Sequence, residues 1–182
     1  MTDPSMVTTK GGDGGKSTNF NGECFQKDDV LFDTVGAIDE LTSYLGIIKQ
    51  KYHEERDLLE FIQRCLQKIM SVIATDPEWD LYDPIPRSEL YINLDRITYH
   101  DTVTLETENK EKLEHIELEP VFVLPGSESL YSAHFDYARA ICRRAEREVV
   151  RFASKKNRPD LTTEMKFLNR LSDLLFIFAR ST

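Results

Sequence analysis

Apolar residues recur at steps of three and four along most of the chain. Val35, Ile38, Leu41, Leu45, Ile48 and Tyr52 form one stripe; Leu58, Ile62, Cys65, Leu66, Ile69, Val72 and Ile73 form a second. That period gathers apolar side chains on one face of an α-helix. The second helix is expected from about Arg56 to Ile73, and Asp76-Pro77 ends it, because the residue before proline avoids the helical region. Tyr137, Ile141, Ala145, Val149 and Phe152 predict a long helix from about Ser129 to Ser154. Phe167, Leu168, Leu171, Leu174, Leu175 and Phe178 predict a last one, which Asp160 or Thr162 can cap.

The remainder is less regular. Pro77, Pro84 and Pro86 interrupt the start of the middle stretch. Ile97, Tyr99, Val103 and Leu105 suggest a short strand or extended piece. Asn109–Ile116 can form a short charged helix. The first 27 residues read as loop, because five of the eight glycines lie between Gly11 and Gly22. The expected fold class is all-α. Four strong helices and one weak element make an antiparallel bundle, with an irregular and in part extended insertion at about 77–120.

Composition supports a packed core. The chain has 182 residues, 40% of them hydrophobic, which fits one domain. A net charge of −9 argues against a general binder of nucleic acid or of anionic membranes. No apolar run approaches the roughly 18–20 residues of a membrane span. No secretory signal or Arg-rich transit peptide is visible at the N-terminus. Cys24, Cys65 and Cys142 are odd in number and far apart, which argues against a disulfide framework and fits a reducing compartment. His53, His100, His115 and His134 form no metal-ligating spacing, so no protein metal site is expected.

The charge is unevenly spread. Residues 76–120 hold 13 acidic and 4 basic side chains, whereas residues 139–158 hold 8 basic and 2 acidic ones. Within that basic stretch Arg139, Arg143, Arg147 and Arg151 recur every fourth residue and share one helix face. Like charges at that spacing cost a few tenths of a kcal/mol per pair. Either carboxylates from another helix or a bound anion must offset them, and spacing alone leaves both open. The planar guanidinium fork suits phosphate.

Thr9-Lys10-Gly11-Gly12-Asp13-Gly14-Gly15-Lys16-Ser17-Thr18 has the composition of a phosphate loop. It is not a Walker A motif: that spacing requires glycine at position 10, which is Lys10. No apolar strand precedes the loop, and the other reading is a flexible tail. Asp39-Glu40 flanks the apolar stripe of the first helix, and Asn169 and Asp173 share a face of the last. Such polar residues either fix bundle register or contact a nucleotide.

Three blocks together resemble the PduO-type ATP:cob(I)alamin adenosyltransferases. The first is Thr9–Thr18 followed by Asn21-Gly22-Glu23 and Lys27-Asp28-Asp29. The second is Val35-Gly36-Ala37-Ile38-Asp39-Glu40-Leu41-Thr42-Ser43. The third comprises Phe122-Val123-Leu124-Pro125-Gly126, Arg139-Ala140-Ile141-Cys142-Arg143-Arg144-Ala145-Glu146-Arg147 and Phe167-Leu168-Asn169-Arg170-Leu171-Ser172-Asp173. Residues 76–120 show little resemblance. Gly11 stands where the family usually has threonine, and Asp136 near where a histidine is common.

The resemblance implies a five-helix bundle assembled as a homotrimer with sites between subunits. It implies transfer of the 5′-deoxyadenosyl group of ATP to the cobalt of cob(I)alamin, with release of triphosphate. Thr9, Lys10, Gly11, Gly12, Asp13, Gly15, Ser17, Thr18 and Lys27 would form the ATP loop around triphosphate and Mg2+. Arg143, Arg144, Glu146, Arg147 and Asn169 would contact the nucleotide. Asp39 and Arg139 would make a salt bridge across the subunit interface near the corrinoid. Phe122 would sit below the corrin and keep the lower cobalt face free of a ligand. Residues 1–28 would then serve as the ATP loop and 29–182 as the helical body of a single domain. A cobalamin reductase, or an enzyme accepting adenosylcobalamin, is the implied partner. The implied location is the mitochondrial matrix in a eukaryote and the cytoplasm otherwise. A non-catalytic, ATP-binding trimeric relative is the alternative.

Overall fold

The computed structural model describes residues 10–78, 86–116, 118 and 122–181. Five long helices dominate: α1 (Val30–Lys51), α2 (Arg56–Ile73), α4 (Tyr99–Leu113), α5 (Leu130–Lys155) and α6 (Thr162–Ala179), with a single-turn α3 (Glu89–Ile92). In space the neighbours run α2, α1, α5, α6, α4. Asp33 meets Arg151 and Glu40 meets Arg144, so α1 and α5 are antiparallel. The long helices alternate in direction along the chain. One neighbouring pair runs parallel: Tyr99 faces Lys166 and Lys112 faces Phe178, so α4 runs in the same direction as α6.

The apolar stripes turn inward except at Tyr137, which the sequence pattern places in the buried stripe of α5 but which stands exposed one position from the buried Ala138. Leu41, Leu45, Ile48, Ile62, Leu66, Ile69, Phe135, Phe167, Leu171 and Phe178 are fully buried. Cys65 and Cys142 are buried free thiols and Cys24 is an exposed one.

Four sequence expectations change. Residues 97–105 are not extended; all but the first two lie in α4. Thr98 caps that helix in a box with Asp101, each side chain bonding the other's backbone N–H. The apparent alternation had no face behind it: Tyr99 is exposed, Ile97 precedes the cap, and the buried positions are Thr102 and Leu105, three apart. The expected charged helix at 109–116 is the second half of α4, ending at Leu113. The N-terminal loop contains a two-stranded hairpin, β1 (Lys16–Thr18) against β2 (Cys24–Gln26). Neither Asp160 nor Thr162 caps α6, whose first turn has no side-chain cap.

Asp160 is engaged elsewhere. Arg158 is 4% exposed and donates to the Val72 and Thr75 carbonyls at the end of α2, at 2.9 and 3.2 Å, and to both Asp160 oxygens. Tyr91 also donates to Asp160, and Arg96 links Tyr91 to Glu164. Burial alone would raise the Asp160 pKa, but the bonds from Arg158 and Tyr91 outweigh it and hold the carboxyl below its usual 3.8. Burial and the neighbouring carboxylate push the Tyr91 hydroxyl up to about 12. The network ties α2, the 88–96 segment and the start of α6 together.

Candidate functional site

The glycine-rich loop sits at one end of the bundle. Asp13 N–H donates to the Lys10 carbonyl and Gly15 N–H to the Gly12 carbonyl, each at 3.2 Å, so 10–15 is two tight turns. Gly12 leaves room for a cation: a Cβ there would lie 2.8 Å from Lys27 Nζ. Lys27 N–H donates to Gly15 O at 2.9 Å, closing the loop onto the turn that follows β2. Lys10, Gly11, Gly12, Asp13, Gly15 and Lys27 are thus brought together, with Ser17 and Thr18 on β1 beyond them. Thr9 lies outside the described residues. The hairpin is fixed by Phe20 N–H on Ala74 O at 2.8 Å and by Asn21, whose side chain accepts from Asp76 N–H. Lys156, capping α5, lies over Phe25 and pairs with Asp29, the N-cap of α1.

The arginines of α5, the stripe and Arg144 beside it, divide into neutralised and free positions. Arg151 pairs with Asp33 and Glu148, and Arg144 with Glu40. The Arg139 guanidinium lies 5.5 Å from the Phe176 ring centre. Arg143 and Arg147 are exposed and have no ion pair or hydrogen bond among the described residues. Beside them Asn169 donates to Glu146 at 3.2 Å and accepts from Arg170 at 2.9 Å; Arg170 is also paired with Glu106. Glu146 and Asn169 are therefore joined across α5 and α6. Asp39 is exposed on α1 and makes no ion pair with Arg139 within this chain among the described residues.

Phe122 is fully exposed and lies at the opposite end of the bundle from the glycine loop. Its segment turns at Gly126, whose N–H donates to Asp136 near the start of α5. The 26 residues of α5 span about 39 Å. Lys156, under the hairpin, is 13 positions from Arg143, or about 20 Å along the axis. One chain does not bring its loop, Arg143 and Phe122 to one point.

Sequence reasoning missed Arg170, Glu106 and Phe176. Arg170 directly follows Asn169 and could have been suspected. Glu106 lies in the segment without a readable pattern, and Phe176 gives no chemical signal of its own.

A helical bundle with a glycine-rich loop and, among the described residues, two arginines without counter-charge offers the donors an anion would need. The chain belongs to the cobalamin adenosyltransferase family, whose model matches residues 7–182. It is 39% identical over 184 residues to the corrinoid adenosyltransferase MMAB of Bos taurus, covering 97% of this chain and 70% of that one. It is 32% identical over 178 residues to the corrinoid adenosyltransferase PduO of Salmonella typhimurium, covering 96% of this chain and 49% of that one. A variant of the PduO-type ATP:corrinoid adenosyltransferase from Lactobacillus reuteri, complexed with cobalamin and ATP, superposes with a TM-score of 0.79 at 27% identity, covering 96% of this chain and 92% of that one. Among the described residues no helix is long and apolar enough to cross a membrane.

Proposed function

We propose that the chain transfers the 5′-deoxyadenosyl group of ATP to the cobalt of cob(I)alamin and releases triphosphate. The observation that carries this reading is the pair Arg143 and Arg147, left without counter-charge on a helix where Arg144 and Arg151 are both neutralised. An exposed helix face that keeps two guanidiniums unpaired is arranged for an anion from outside the chain. The leaving triphosphate gains charge as the C5′–O bond breaks. Positioned guanidiniums and backbone N–H groups stabilise that charge without reorganising.

In this reading the loop from Thr9 to Thr18 and Lys27 grips the phosphates. Glu146 and Asn169, already joined, offer polar atoms to the nucleoside. Holding C5′ toward cobalt is a positioning task, and cob(I)alamin is itself the nucleophile, so no general base is required. Asp13 and the Ser17 and Thr18 hydroxyls supply oxygen donors of the kind Mg2+ takes, and the ion would offset part of the triphosphate charge. Phe122 packs against the corrin, and Asp39 of one chain pairs with Arg139 of the next.

The distances along α5 support a site made from more than one chain, as in a homotrimer: loop and aromatic stand at opposite ends of a 26-residue helix. In a eukaryotic source the location would be the mitochondrial matrix, and otherwise the cytoplasm. The test is direct. ATP, magnesium and chemically reduced cobalamin should yield adenosylcobalamin and triphosphate; no product at stoichiometric protein would sink the proposal.

Lys27→Ala gives a narrower check. Lys27 is exposed, so unfolding free energy should change by no more than about 0.5 kcal/mol. Losing a charge-assisted contact worth about 1.5–3 kcal/mol should weaken ATP binding about ten- to a hundredfold, read by titration calorimetry.

A further inference from the structure

A carboxylate on α5 holds the Phe122 segment at Gly126. Asp136 Oδ2 accepts the Gly126 N–H at 3.0 Å and the Arg180 guanidinium at 2.5 Å. The ion pair is shielded, with the side chains 9% and 5% exposed. Arg180, just past α6, also approaches Glu128 at 3.6 Å, and Ser132 accepts from it at 3.4 Å. Gly126 has φ +72°, and a Cβ there would lie 2.9 Å from Ala133 Cβ, so the turn lies tight on α5. The Arg180 guanidinium is 5.6 Å from the centre of the Phe176 ring, the same ring that carries Arg139 at 5.5 Å. One shielded carboxylate is therefore linked through Gly126 to the segment that carries Phe122, and through Arg180 and the Phe176 ring to Arg139.

We propose that Asp136 is a positioning residue: through Gly126 it sets where Phe122 stands, and through Arg180 and Phe176 it sets the direction of Arg139. The inference rests on the corrinoid roles of Phe122 and Arg139 proposed above. Asp136 itself touches neither substrate. Its carboxylate is shielded between two partners, the Gly126 N–H and the Arg180 guanidinium, and a shielded ion pair holds its groups more rigidly than an exposed one. The segment 122–126 otherwise runs exposed at Phe122, Leu124 and Pro125, so its place on α5 depends on the Gly126 contact.

The test uses Asp136→Ala, Asp136→Asn and Gly126→Ala in the full chain. Asp136→Ala should raise KM for cob(I)alamin about tenfold and leave KM for ATP within about twofold. Gly126→Ala keeps the ion pair but pushes the turn off α5, and should give the same split if Asp136→Ala fails to fold. Asp136→Asn keeps an acceptor for the Gly126 N–H and should recover most of the loss. Hydrogen exchange without substrate supplies a readout independent of catalysis: the Gly126 amide should lose protection in Asp136→Ala. Equal effects on both substrates, no effect on either, or unchanged Gly126 protection would overturn the proposal. If the wild-type chain forms no adenosylcobalamin while the Gly126 amide behaves as expected, the proposed reaction fails and the anchoring of the segment stands.

Discussion

Arg143→Ala is expected to lower kcat/KM for adenosylcobalamin formation by about 10²–10³-fold, the usual loss when a positioned donor to developing charge is removed. The fold should not notice. Arg143 is exposed and makes no ion pair or hydrogen bond among the described residues, so truncation strands no partner. Removing one of four like charges spaced along a helix even relieves a little repulsion. Thermal midpoint and oligomeric state should therefore match the parent while the rate collapses. Arg143→Lys should recover only part of the rate, since lysine keeps the charge but not the two-pronged geometry. Near-normal turnover in Arg143→Ala would remove the residue from the site.

Arg158→Ala should behave in the opposite way, harming the fold far more than the chemistry per folded molecule. The guanidinium is buried, covers two carbonyls at the end of α2 and holds Asp160. Its loss leaves a buried carboxylate and two carbonyls short of partners. Breaking a buried pair from one side costs about 3–5 kcal/mol. For a chain of this size each kcal/mol moves the thermal midpoint by about 2–4 °C, so a drop of about 6–20 °C is expected in a melting experiment. A shift under about 2 °C would mean that water or a rearranged Arg96 replaces the lost contacts. Arg158→Lys should be intermediate, because one ammonium cannot reach all three acceptors.

These two arginines also mark how far the sequence could be read. The four strongest helices were legible because their apolar residues keep the helical step without interruption from Val35 to Tyr52 or from Phe167 to Phe178. α4 was not, since it buries only Thr102 and Leu105, and a buried threonine looks polar in a pattern. Its capping box, Thr98 with Asp101, was the readable signal. Arg158 stood in what read as an exposed turn, Lys156-Asn157-Arg158-Pro159, and nothing local shows that its partners lie 83 and 86 positions away. The division of the arginine stripe was hidden for the same reason. Asp33 and Glu40, which neutralise Arg151 and Arg144, precede them by more than a hundred residues. The candidate site rested instead on motif order, which survives without contacts; its geometry needed the fold.

The 26-residue span of α5 between the glycine loop and the Phe122 segment has a genetic consequence. In the proposed assembly each site borrows its loop from one chain and its arginines from another. A chain damaged in the loop and a chain damaged at Arg143 are then not equivalent losses. Co-expressed and mixed at random, they would rebuild about a quarter of the sites from their intact halves, because each site samples two chains independently. Two alleles that are each inactive alone would complement one another, whereas two alleles damaged in the same half would not.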